Sequence, residues 1–112
     1  KPDAAFIRFG RLPGEQLPIG YVRIAPDLAV EVTSPNELAE EVESKIDDYL
    51  AAGVRLLWIV NPTRRTVRIH RANGTIGWLR EHDTLDGEDV LPGFRCAVRD
   101  LFPPAGTIEP SA

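Results

Sequence analysis

Cysteine is nearly missing from this chain: Cys96 is the only one among 112 residues. An internal disulfide is therefore excluded, and a reducing compartment, the cytoplasm, is the expected setting. Long apolar runs are also missing. No stretch approaches the roughly 18 residues needed to span a bilayer, so no membrane association is expected. No signal peptide is visible, and "KPDAAF" reads as a strand from its first residues, the expected look of a fragment or processed form. Positive charge is short as well, with 13 Lys and Arg against 17 Asp and Glu, a net charge of −4 and a pI near 5.1. That balance argues against a general phosphate-binding surface, although it leaves room for a metal-dependent nuclease, whose centre must itself be acidic. Repeats and low-complexity blocks are absent. What remains, 43% hydrophobic and 27% charged, is the composition of an ordinary globular domain of a size that holds one core.

The pattern along the chain is α/β. "AFIRF" (5–9) reads as a short strand, and the Gly/Pro-rich residues 10–20 as a loop. "LAVEVT" (28–33) alternates, with Leu28, Val30 and Val32 on one face and Ala29, Glu31 and Thr33 on the other. "SPNE" matches a capping box, with Ser34 as N-cap, Pro35 at N1 and Glu37 at N3. The helix it opens is expected to run to about Ala52, closed by Gly53 in a left-handed conformation. Its apolar stripe is Leu38, Val42, Ile46, Tyr49 and Leu50. Glu37, Glu40, Glu41, Glu43, Asp47 and Asp48 crowd its other side as a solvated face. "RLLWIVN" (55–61) is a continuous apolar strand of the kind buried on both faces. Strand, helix and strand at this spacing form a crossover unit. Next, 66–71 and 75–80 flank Asn73-Gly74, a type I′ hairpin signal. "DTLDGEDVLPG" reads as loop, "FRCAV" (94–98) as a last short strand, "RDLF" as a turn of helix, and 103–112 as a disordered tail.

Two residues break this pattern. Glu31 puts a carboxylate inside an apolar strand, where an ionised group costs several kcal/mol unless it is paired or metal-bound (about 3–5 kcal/mol when a partner is removed). Asp27 shares its strand face but stands roughly 13 Å away, at ~3.3 Å per residue, too far to share one ion. Asp3 opens a different strand and reaches Glu31 if the two strands pair in register. Lys45, four residues before Tyr49, falls within the apolar stripe of the helix. Such a lysine either snorkels to water or points along the sheet to Glu31 and offsets its charge. Carboxylates that hold Mg²⁺, with a lysine to orient water, are what metal-dependent phosphodiester cleavage requires.

Other residue types carry less. His70 alternates with Val67 and Ile69 and is expected at the surface, and His82 sits in a loop without a partner at metal-ligand spacing. Cys96 reads as a small core residue, Ser34 as a cap, and Trp58 and Trp78 as core or interface.

"PDLAVEVTSP", a helix bearing Lys45 and Tyr49 and ending "AAGV", then "LLWIVNP" and "LPGF…LF" together resemble the bacterial putative restriction-endonuclease family of the PD-(D/E)XK nuclease superfamily. The resemblance runs from Lys1 to about Phe102. It implies a restriction-endonuclease-like mixed sheet with one main crossover helix (34–53) and an antiparallel meander, one domain over 1–102. Family members are longer at the N-terminus, so the chain would correspond to the C-terminal part of that domain. The implied activity is Mg²⁺- or Mn²⁺-dependent DNA cleavage. Asp3 and Glu31 would be metal ligands and catalytic with Lys45, and Asp27 auxiliary. The superfamily's in-strand lysine is replaced by Thr33, and Lys45 takes its place from the helix. Loss of an N-terminal helix would bare part of the sheet, which makes a homodimer the expected assembly. The competing expectation is an inactive nuclease-fold domain that serves assembly, consistent with acidic charge and with Thr33. A small-molecule pocket has no support in the sequence.

Overall fold

The computed structural model describes residues 2–8, 11 and 25–104. Their centre is a five-stranded mixed sheet in the order β1-β2-β3-β4-β5: β1 (Ala4–Phe6), β2 (Leu28–Val32), β3 (Leu56–Asn61), β4 (Thr66–Arg71) and β5 (Ile76–Leu79). β2 and β3 run parallel, joined through helix α1 (Ala39–Ala51), and every other neighbouring pair is antiparallel. The architecture is thus the expected mixed α/β one.

The sheet sorts its side chains by strand periodicity. Ala29, Leu57 and Ile59 lie on one face, under Ile46 of α1 and Val54. Leu28, Leu56, Trp58, Val60, Val67 and Ile69 lie on the other, where Leu85, Val90, Val98 and Phe102 cover them. β3, the central strand, is buried from Leu56 to Val60, as a run without polar alternation requires. The second cover is a two-stranded sheet of β6 (Thr84–Asp86) and β7 (Arg95–Ala97), followed by a 3₁₀ turn at Val98–Leu101. β6 falls in a stretch expected to be loop. Only Leu85 of its three residues is buried, so it offers too little alternation to read in advance.

Two local expectations need correction. The helix begins at Ala39 rather than after Ser34, because Leu38 keeps an extended backbone (φ −72°, ψ 146°) and the Glu41 carboxylate accepts from its N–H. The reciprocal bonds of "SPNE" do form, Ser34 Oγ accepting from Asn36 N–H and Glu37 from Ser34 N–H, but they close a separate turn. Leu38 accordingly leaves the apolar stripe and is 67% exposed. The β4–β5 hairpin forms, but not through a type I′ turn. Gly74 (φ +90°) is its one left-handed residue, after a turn in which Gly74 N–H donates to Arg71 C=O at 2.9 Å. That is the three-residue loop of a type I turn plus a left-handed glycine. Gly53 (φ +101°) closes α1 as expected. Apart from Arg11, the 10–20 loop lies outside the described residues, as does most of the 103–112 tail.

Candidate active site

The β1–β2 register fixes the site. Ala4 pairs with Val30 and Ala5 with Ala29, so Asp3, one residue further, stands across from Glu31. Residues directly opposite each other point to the same side of a sheet, here the side that α1 covers. Asp3 N–H donates to Val30 C=O at 3.0 Å, and the Asp3 carboxylate accepts from Val32 N–H at 2.7 Å. The two carboxyl groups face each other across this pair, close enough to perturb each other's ionisation.

α1 brings the other polar groups. Lys45 and Tyr49 are four residues apart and share a helix face. The Tyr49 hydroxyl donates to Glu31 Oε1 at 2.6 Å. The Lys45 ammonium sits above the pair at the rim, half-exposed, and donates to Glu37 Oε2 at 2.7 Å. Glu31 is thus compensated by the Tyr49 hydroxyl, not through a direct ion pair with Lys45, which acts on it through space. Lys45 takes the snorkelling course: its ammonium reaches out to Glu37, and its side chain is 49% exposed.

These contacts pull the two carboxyl groups apart in acidity. Burial pushes Glu31 above the ordinary glutamate range, and the Asp3 carboxyl adds to that, against the Tyr49 hydroxyl. The Val32 N–H, and after it the Glu31 side chain, hold Asp3 below its ordinary value. Hydrogen bonding to Glu37 raises Lys45, and the same bond lowers Glu37. Burial and the Glu31 carboxylate raise the Tyr49 phenol, which stays a donor. The result is a pair of acids whose pKa values move in opposite directions, beside an ammonium whose own pKa is raised.

Two carboxylates fit a hard cation such as Mg²⁺, which is commonly held by one or two of them and keeps several waters. Among the described residues no group of three or more His, Cys, Asp or Glu side chains converges.

Asp27 is not brought to this cluster. It is 4% exposed at the far end of β2, where its carboxylate accepts from Arg8 N–H at 2.7 Å and pairs with Arg11 at 2.8 Å. Burial opposes its ionisation, but those two donors hold its pKa below the ordinary range. His70 also departs from expectation. It faces α1, is 6% exposed, and its Nε2 has no partner among the described residues. Val67 and Ile69 do occupy the opposite face, but that face and this one are both covered. Trp58 packs at 5.6 Å from Phe94 in the core, whereas Trp78 is 59% exposed. Tyr49 and Glu37 were not singled out for chemistry. The four-residue step from Lys45 to Tyr49 was the signal available for the first, while the turn that swings Glu37 under Lys45 left none.

With this geometry in view, the comparisons carry weight. A family model named Uma2 and described as "Putative restriction endonuclease" matches residues 1–99. No protein of curated function matches. The crystal structure of a "putative nuclease belonging to DUF820" from Anabaena variabilis ATCC 29413 superposes with a TM-score of 0.62 at 23% identity, covering 70% of this chain and 44% of that one. That likeness is one of fold, and the chain spans less than half the length of that structure.

Proposed function

Because the chain belongs to the Uma2 family of restriction-endonuclease-like proteins, we propose that it is an Mg²⁺- or Mn²⁺-dependent endonuclease domain that hydrolyses phosphodiester bonds of DNA. The observation that carries this reading is the meeting of Asp3 and Glu31 on the covered side of the sheet, with Lys45 above them. Asp3 and Glu31 would hold the divalent ion, which supplies charge stabilisation at the scissile phosphate and a more acidic water. Val32 N–H fixes the Asp3 carboxylate, and the Tyr49 hydroxyl fixes Glu31 Oε1. Lys45 stays protonated, so it cannot act as a base. Its ammonium, anchored by Glu37, orients the attacking water and offsets charge that builds on the phosphate.

Plasmid cleavage with Mg²⁺ or Mn²⁺ tests this reading. Glu31→Gln and Lys45→Ala should each lower the rate at least 100-fold while the thermal melt stays cooperative. Full cleavage by both variants removes the proposal. A second reading, an inactive nuclease-fold module that serves assembly, is favoured by Thr33 standing where the superfamily pattern has lysine. Calorimetric titration separates the two, since the module would show no saturable Mn²⁺ heat that depends on Glu31.

A further inference from the structure

α1 covers only part of its side of the sheet. Beyond it, a trough of about 560 Å³ runs from Thr33 and Glu37, beside the carboxylate pair, across Ile59 and Arg68 to Trp78. A second cleft continues it between Trp78, Arg64 and Arg80. The charge of this strip is opposite to that of the chain as a whole. Arg68 is committed: its guanidinium lies 5.4 Å from the Trp78 ring centroid and donates to Glu43 Oε2 at 2.9 Å. Among the described residues neither the Arg64 nor the Arg80 guanidinium has a carboxylate within 4.0 Å, the Asp83 carboxylate being bonded to the backbone N–H of Arg80. The strip therefore presents one large aromatic face, held in place by a cation, between two uncommitted guanidiniums.

Register places the strip relative to the acid pair. Glu31, Ile59, Arg68 and Trp78 are successive cross-strand neighbours, one on each of β2 to β5. Three steps of ~4.8 Å set Trp78 roughly 14 Å from Glu31 along the sheet. That is about four nucleotides at the ~3.4 Å rise of a stacked strand. Aromatic rings next to cations are how unpaired nucleic acid is gripped, because every base has a face to stack and paired bases do not offer it.

We propose that this trough is a subsite for an unpaired segment of a DNA strand, with Trp78 stacked on a base and the Arg64 and Arg80 guanidiniums on backbone phosphates. The inference rests on the endonuclease reading for its register but not for its binding test. The probe is a fluorescein-labelled ten-residue oligo-dT, followed by anisotropy in EDTA so that no cleavage intervenes. Trp78→Ala should weaken binding about tenfold, equivalent to about 1.4 kcal/mol. Trp78→Phe, which keeps a ring, should recover most of the loss. Arg64→Ala with Arg80→Ala should make the plot of log affinity against log salt shallower by about 1.4, two contacts at about 0.7 each. The labelled duplex of equal length should bind more weakly than the single strand. These residues are exposed at the trough, so unchanged thermal melts should accompany each variant.

Equal binding by Trp78→Ala, an unchanged salt slope, or preference for duplex overturns the subsite. So does a Trp78-dependent dimer that binds no oligonucleotide, seen by sedimentation, since a second copy would then be the occupant. Cleavage of the same oligonucleotide with Mn²⁺ separates the two ideas. Glu31-dependent cleavage without Trp78-sensitive binding defeats the subsite alone, and Trp78-sensitive binding without any cleavage defeats the catalytic reading alone.

Discussion

Replacing Tyr49 by phenylalanine removes one oxygen and leaves the ring in place against Ile46 and its neighbours. That oxygen donates at 2.6 Å to a Glu31 side chain that is almost fully buried, 7% exposed. A hydrogen bond to a charged group is worth about 1.5–3 kcal/mol, against about 1 kcal/mol for a neutral one. Tyr49 is itself only half-buried, so water recovers part of the loss, and about 1.5–2 kcal/mol is the expected cost at pH 8. At about 4–8 °C per kcal/mol for a domain of this size, the melting temperature should fall by roughly 6–16 °C. The cost depends on pH. Glu31 titrates above its unfolded value, so its ionisation works against folding, and stability is lost as pH rises through the folded pKa. Without its donor the ionised form is penalised further. At pH 4, where Glu31 is protonated in both proteins, Tyr49→Phe should cost only about 1 kcal/mol. Urea melts at pH 4 and pH 8, repeated in a Glu31→Gln background, read the coupling directly. An equal cost at both pH values, or an undiminished cost beside Glu31→Gln, would refute the argument.

Other substitutions test other parts of the structure. Asp27→Asn keeps an acceptor for Arg8 N–H but loses the Arg11 pair, so urea melts at pH 7 should show a loss of about 1–2 kcal/mol. The Asp27 pKa is depressed on folding, so its contribution is complete above the unfolded value near 3.8 and fades as pH falls through the folded one. The variant should therefore lose less on acidification than the parent. Burial, then Arg68, lowers the His70 pKa, against Glu43 and Asp47, so the unfolded chain takes up this proton first as pH drops below about 6.5. His70→Leu should flatten the stability profile below that pH, and an unaltered profile would mean His70 titrates as freely as in the unfolded chain. A Cβ at Gly87 would clash with the backbone carbonyl oxygen of Leu91. Gly87→Ala should therefore cost at least about 1–3 kcal/mol, read as a lower melting temperature.

The sequence makes the main sheet legible because its strands obey simple periods. β2 alternates, β3 is apolar throughout, and Asn73-Gly74 marks the hairpin even though the turn type differs. Legibility fails where a residue's role depends on what lies above it. His70 occupies the strand face opposite Val67 and Ile69, as alternation requires, but alternation cannot say that α1 roofs that face. β6 is too short for a period. Ser34 makes the bonds of a helix cap while the chain is still one turn from the helix. At the site, the odd residues Glu31 and Lys45 were visible as violations of their local patterns. Their partners were not, since Tyr49 reads as an ordinary stripe residue and Glu37 as one more acid among several.

Asp27 has a structural bearing on the site that its distance conceals. β1 is only three residues long, too short to choose its register through burial alone, and a slip of one residue would turn Asp3 to the opposite face. What pins β1 is its far end. Asp27 N–H donates to Phe6 C=O at 2.9 Å, while the Asp27 carboxylate accepts from Arg8 N–H, so the chain leaving β1 is clamped to the start of β2. Asp3 N–H to Val30 C=O closes the near end, and between these bonds the pairing of Asp3 with Glu31 has no freedom left. The two acids of "PDLAVE" thus divide the work along one strand: Glu31 presents its carboxylate at the cluster, and Asp27 holds the neighbouring strand in the register that brings Asp3 to meet it.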